Sequence, residues 1–210
     1  MSSQQEWNER YSSSDLVWSV GPNVFVEELT TDMTPARVLD VAGGEGRNAL
    51  WLADRGWDAT LVDFSAVALE RAQTLWAQRT APRGAGSLAI QQSDVVADSL
   101  GDQEFDLVLV CYLQIPPLSR RVALQSSARA VAEGGTLIVI AHHSDNLHGG
   151  VGGPQNPELL YSEQDVLDDL AESDWMIVRA ERATRAVVVN GDERIALDTV
   201  VVLRRPKPER

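Results

Sequence analysis

From Ala36 onward, short apolar runs alternate with amphipathic stretches, the pattern of an α/β sheet covered by helices on both faces. Seven strands are predicted. ArgValLeuAspValAla at 37–42, AlaThrLeuValAsp at 59–63 and SerLeuAlaIleGln at 87–91 are short and aliphatic. The runs at 105–110 and 136–140 are the most apolar, which places them centrally, buried on both faces. Helices are predicted over about 46–54, 65–79, 117–132 and 162–171, with Ser65 and Ser162 as N-caps and Pro117 in a first turn. After Trp175 two longer strand-like runs, 175–188 and 194–204, flank Asn190 and Gly191. AsnGly between such runs is a hairpin signal, so an antiparallel pair is expected at the C-terminal edge of a mostly parallel sheet.

The first thirty residues carry Trp7, Tyr11, Trp18 and Phe25, more aromatic surface than a discarded tail holds. They are expected to dock as helices (1–30) over a core at 36–205, the whole chain (1–210) making one domain. The segment from His142 to Pro157 contains four glycines and two prolines, and connections of that length usually serve function. A net charge of −13 argues against a nucleic-acid partner, because phosphate binding draws on clustered Lys and Arg. Cys111 is the only cysteine, which excludes an intrachain disulfide. There is no signal-like apolar segment at the N-terminus and no run long enough to cross a bilayer, so a cytoplasmic protein without membrane association is expected.

AlaGlyGlyGluGlyArgAsnAla, 42–49, lies between a predicted strand and helix, where glycines admit a ligand and the helix start offers free N–H groups. A Walker loop needs Lys followed by Ser or Thr, and Arg47 and Asn48 stand there instead. A dinucleotide loop is satisfied literally by Gly44-x-Gly46-x-x-Ala49. Asp40 and Glu45, however, would put two carboxylates beside a pyrophosphate and repel it. S-adenosylmethionine carries a sulfonium and an ammonium and no phosphate, so carboxylates near the loop are tolerated. Asp63, 20 positions after Gly43 at a strand end, suits the two hydroxyls of a ribose, and the competing reading is a cap for the helix near Ser65.

AspValAlaGlyGlyGluGly resembles the acidic-x-Gly-x-Gly-x-Gly motif of class I S-adenosylmethionine-dependent methyltransferases, with Ala42 replacing the first glycine and Gly44 and Gly46 matching. GlyGluGlyArgAsn is similar to the small bacterial subgroup around the tellurite-resistance and thiopurine enzymes, which more often has cysteine where Gly43 stands. The resemblance runs from Trp7 to about Arg185 and implies a Rossmann-like open twisted sheet. It implies that Asp94 receives the adenine amino group with Val95 offering its N–H, and that Asp40, Ala42, Gly43, Gly44, Gly46, Asp63, Phe64, Cys111 and Tyr11 belong to the cofactor site. A turn role for Asp94 competes with this. For Arg47, a solvated position on the helix is expected over the alternative of steering an acceptor or the cofactor carboxylate.

On the acceptor side, AlaHisHisSerAspAsnLeu at 141–147, with GlyGlyProGln at 152–155, is similar to a Gly-His-Asp-x-x-Asn-Leu, Gly-Gly-Pro-Gln pattern of that subgroup. His142 takes the place of the family histidine, and an imidazole titrates in the range of a base at neutral pH; a pocket-shaping role is the alternative. The resemblance implies Trp7, Tyr112, Gln114 and Asn146 in the substrate pocket, walled by the 111–117 and 142–157 loops, with the TrpAsnGluArgTyr segment of the N-terminal helical region (1–30) as the lid. Core packing is the competing reading of Trp7 and Tyr11. IleProProLeu, 115–118, is better explained as helix initiation than as an amino-methyltransferase motif, and Cys111 lacks the ProCys context of a nucleophile. His142, His143 and His148 make a poor metal set, since neighbours in a strand face opposite ways. The expected function is methyl transfer from S-adenosylmethionine, leaving S-adenosylhomocysteine, to a small molecule whose accepting atom (S, N, O or metalloid) is open. The alternatives are an NAD-dependent oxidoreductase and a non-catalytic S-adenosylmethionine-binding module.

Overall fold

The computed structural model describes residues 4–12, 21–79 and 86–207. Trp18 and the last three residues of the tail lie outside them. The strands are β1 (Arg37–Val41), β2 (Asp58–Asp63), β3 (Ser87–Gln92), β4 (Phe105–Cys111), β5 (Val131–His142), β6 (Met176–Val189) and β7 (Asp192–Arg204). They form one sheet in the order β3-β2-β1-β4-β5-β7-β6, parallel through β5 and antiparallel at β7 and β6. The α/β class, the seven strands and the antiparallel C-terminal edge are thus as expected. Asn190 (φ 54°) and Gly191 (φ 88°) both take the left-handed conformation that a two-residue turn needs to match strand twist.

The helices are α1 (Gln4–Ser12), α2 (Val24–Thr30), α3 (Arg47–Ala53), α4 (Ala66–Ala77), α5 (Pro117–Ala130), α6 (Asn146–Gly149) and α7 (Glu163–Asp169), with a 3-10 turn at Pro157–Leu159. Ser65 caps α4 by accepting the Ala68 N–H, and Ser162 and Asp165 form a reciprocal capping box on α7. The alternation of strand side chains then decides which helix meets which face. Leu39, Val41, Val108, Val110, Leu137 and Val139 pack with Ala123, Leu124 and Ala128 of α5 and Val166 of α7. Val38, Leu107, Leu109, Ile138 and Ile140 point the other way, onto α2, α3 and α4 through Phe25, Val26, Leu52 and Leu69. Leu107 to Val110 and Leu137 to Ala141 are completely buried, the signature of strands covered on both sides.

Two boundaries differ from expectation. The predicted helix to 132 ends at Ala130, and Val131 enters β5 at once with extended backbone. Gly134, at φ 74°, makes the kink that lets residues 131–135 pair irregularly with the start of β4. The glycine-rich segment 142–157 is not a bare loop, since α6 and the 3-10 turn occupy part of it. No helix among the described residues is long and apolar enough to cross a membrane.

Candidate active site

Because β1 sends its crossover to β2 while β4 lies on its other flank, the carboxyl ends of β1 and β4 diverge, and ligands of open α/β sheets bind at such a point. A cavity of about 510 Å³ opens there. The ends of four parallel strands line it: Ala42 to Gly44 after β1, Asp63 and Phe64 at β2, Ser93 to Val96 after β3, and Cys111 to Pro116 after β4. Glu6, Trp7 and Tyr11 of α1 close one side, and Asn156, Glu158 and Leu159 another.

The glycine loop is shaped by contacts beneath it. Gly46 is the N-cap of α3 with φ 77°, and a Cβ there would stand 2.9 Å from a Leu61 methyl. A glycine N-cap has no side chain to bind the helix N–H groups, and Asp40 replaces it from the strand below. Alternation in β1 sends Asp40 to the α3 face, where Oδ2 accepts the Ala49 N–H at 3.1 Å. Its other oxygen is buried without a partner, and burial pushes its carboxyl up to about 7 against the Ala49 hydrogen bond and the Arg47 charge. Asp40 thus orders the end of the glycine loop from the strand below, and neither it nor Gly46 is among the residues lining the cavity.

Asp63 connects loop and wall. Its Oδ2 accepts the Gly44 N–H at 2.9 Å and its Oδ1 the Ser65 N–H at 2.8 Å, so it ties the glycine loop to the start of α4. Burial raises its carboxyl, opposed by the N–H groups of Ser65, Gly44 and Phe64. Three N–H groups leave one of its four acceptor sites, and Asp63 lines the cavity. Asp94 likewise serves a turn, accepting the Val96 N–H at 2.9 Å, while also lining the cavity with Val95.

α1 sits on this rim. Asn8 Oδ1 accepts from Ser65 Oγ at 2.6 Å, and Gln4 donates to the Phe64 carbonyl. Trp7 and Tyr11 pack ring against ring at 5.7 Å, with Tyr11 buried. α1 therefore packs against the strand end that holds Asp63.

Across the cavity the positions are mixed. Cys111 and Tyr112 line it, and burial drives both the thiol and the phenol well above their ordinary values, so neither ionises near neutrality. Gln114 lines it too, but its amide is engaged in bridging, accepting the His142 N–H at 2.8 Å and donating to the Leu159 carbonyl. Asn146 does not line the cavity. It is buried and braces its loop, donating to the Gly152 carbonyl and accepting the Leu197 N–H.

His142 is also absent from the cavity wall. Its ring lies behind Tyr112, centroids 4.7 Å apart, with Nδ1 3.3 Å from Asp198 Oδ1 and Gly153 against it, a position that favours the pocket-shaping alternative over that of a base. His143 faces elsewhere, toward Glu163 at 3.3 Å, as strand alternation requires.

Arg47, for which the sequence favours a solvated position over a place at the ligand, lines the cavity with its guanidinium 5.8 Å from the Tyr112 ring, and Asn48, which no sequence signal marks, follows it. Ile115 and Pro116, within the 111–117 segment expected to wall the pocket, line it as well as leading into α5. Glu45, invoked against a pyrophosphate, is turned away and paired with Arg71 at 2.8 Å. The electrostatic case against a dinucleotide therefore loses one of its two carboxylates, while the absence of a basic cluster from the wall stands: Arg47 is the only Lys or Arg among the lining residues described.

Residues 38–135 match a sequence-family model described as a methyltransferase domain. Three solved structures share the fold. One, described as "Conversion of a Disulfide Bond into a Thioacetal Group during Echinomycin Biosynthesis", aligns at TM-score 0.74 and 20% identity over 98% of this chain and 93% of that one. The N-methyltransferase NodS from Bradyrhizobium japonicum WM9, solved with S-adenosyl-L-homocysteine, aligns at 0.69 and 18% over 97% and 99%. TehB from Haemophilus influenzae aligns at 0.69 and 16% over 96% and 66%.

Proposed function

We propose that this chain, which carries a methyltransferase domain with S-adenosylmethionine as its cofactor, passes the methyl group to a small molecule held between α1, the 111–116 segment and the 156–159 segment. The observation that carries this reading is the two-sided cavity. One side presents Asp63 and Asp94, acceptor-only groups suited to hydroxyl and amino donors, beside the backbone of Ala42 to Gly44. The other side is apolar, with Trp7, Leu113, Ile115, Pro116 and Leu159.

When bound, S-adenosylmethionine supplies an electrophilic methyl carbon. What remains for the protein is alignment and exclusion of water. Asp63 would hold the ribose, Asp94 and Val95 the adenine, with Phe64, Cys111 and Tyr11 flanking. Trp7 and Tyr11 cover the rim, and Gln114 locks the backbones of His142 and Leu159 together, so that two loops present one wall.

The motifs around Gly44, Gly46, His142 and Gly153 favour the tellurite-resistance and thiopurine-like subgroup, and the shared fold with TehB supports that kinship. The neighbours' descriptions include an N-methyltransferase and a reaction at a disulfide, so the acceptor atom is to be found by assay. The charge of −13 disfavours a nucleic-acid substrate, and the reading places the enzyme in the cytoplasm.

Turnover on a panel of thiols, amines, phenols and metalloid oxyanions, followed by S-adenosylhomocysteine release, tests the reading. At least one class should be methylated. His142→Ala should lower that turnover by less than about tenfold, because no histidine lines the cavity among the described residues and a general base is worth about 10²–10⁴. A hundredfold loss would restore His142 as the base, and release of no product from any class would contradict methyl transfer to small molecules.

A further inference from the structure

Behind the cavity wall lies a buried polar cluster that the methyl-transfer reading leaves unused. Asp198 of β7 is fully buried and stands opposite His142 in the β5–β7 register, so the two side chains leave the sheet on the same face. Its carboxylate accepts from the Tyr112 hydroxyl at 3.1 Å and from Arg185 Nε at 2.6 Å, and lies 3.3 Å from His142 Nδ1. Burial opposes its ionisation, yet the contacts with His142 and Arg185 hold its carboxyl below the usual range. The charge is thus retained and compensated.

The cluster continues toward the ligand. The Tyr112 hydroxyl accepts from Asn23 Nδ2 at 3.0 Å, the Asn23 N–H donates to Asn48 Oδ1 at 2.9 Å, and Asn48 lines the cavity at the start of α3. One chain of hydrogen bonds therefore joins β7, the end of β4, the entry to α2 and the glycine loop's helix. Tyr112 itself has φ 58°, a conformation that a residue with a side chain keeps only where its surroundings enforce it. Its N–H donates to the Ile140 carbonyl at 2.7 Å, and its ring is flanked by His142 at 4.7 Å and Arg185 at 5.7 Å.

We propose that Asp198 is a positioning residue: by holding the Tyr112 hydroxyl against Asn23 it pre-orders the wall on which cofactor and acceptor are held. Only the ligand of the test rests on the S-adenosylmethionine reading. Without Asp198 the hydroxyl loses its acceptor, Arg185 and His142 lose their anion, and a ligand must order Tyr112 on binding, which lowers affinity.

The chain has three tyrosines, so the protein labelled with 3-fluorotyrosine gives three fluorine resonances, assignable by Tyr→Phe substitution. In Asp198→Ala the Tyr112 resonance should shift or broaden while those of Tyr11 and Tyr161 hold still. By calorimetry, S-adenosylhomocysteine should bind about tenfold more weakly to Asp198→Ala and to Tyr112→Phe, with the double variant no weaker than either, as residues of one unit behave. If the single variant is poorly folded, Asp198→Ala/Arg185→Gln leaves no uncompensated charge and takes the same two readouts. An unmoved Tyr112 resonance, or losses that add in the double variant, would overturn the proposal. Failure of the wild-type protein to bind S-adenosylhomocysteine would count against the cofactor reading, with the resonance test still deciding the role of Asp198.

Discussion

Replacing Asp63 by alanine is expected to weaken S-adenosylhomocysteine binding by about 30- to 1,000-fold, or about 2–4 kcal/mol. Two effects combine. The N–H groups of Gly44 and Ser65 lose their acceptor in a buried position, so the glycine loop and the start of α4 are no longer tied to the end of β2. The ligand's hydroxyls meanwhile lose the carboxylate that lines the cavity as an acceptor. Asp63→Asn should fall between, since its amide keeps one acceptor but turns an NH₂ group toward a donor. Calorimetry gives the affinity and urea unfolding gives the accompanying loss of stability, about 1–3 kcal/mol for donors left unpaired. Affinity within twofold of wild type would remove Asp63 from the site.

Asp40→Asn is expected to stabilise the ligand-free protein above pH 7, on the order of 2–4 kcal/mol. The folded carboxyl is pushed up to about 7 from an ordinary 3.8, so between those values the folded state binds more protons than the unfolded one. Stability therefore falls as pH rises through that window, and above it the folded protein carries the whole cost of a buried, half-partnered carboxylate. Asparagine can still accept the Ala49 N–H and has no charge to bury. The difference between variant and wild type, measured by urea unfolding, should shrink toward pH 4 and reach its full value above pH 7. A difference that does not change with pH would show that Asp40 stays ionised throughout.

The elements legible in the sequence were those whose signals are local. AsnGly at 190–191, the serine caps at Ser65 and Ser162 and the unbroken apolar runs of β4 and β5 each dictate backbone geometry within a few residues. Asp63 was legible for the same reason, because strand, loop and carboxylate follow one another at fixed spacing. What lay hidden depends on distant partners. The direction of Glu45 is decided by Arg71, and that of Arg47 by the turn of α3 over the end of β4. His142 sits at the strand end expected of it, but Asp198, 56 positions later in sequence, is brought opposite it only by the antiparallel register of β7. Asn146 shows the converse case. A side chain matching a pattern was spent on closing its own loop, which no spacing rule reveals.

The central claim, a nucleoside cofactor without phosphates bound across the ends of β1 to β4, meets its most direct test in paired calorimetric titrations of the wild-type protein with S-adenosylhomocysteine and with NAD. Saturable one-to-one binding of S-adenosylhomocysteine, with no heat from NAD at the same concentrations, is the result predicted. Binding of NAD without S-adenosylhomocysteine would contradict the account and return the glycine loop to the dinucleotide fingerprint that Gly44, Gly46 and Ala49 satisfy.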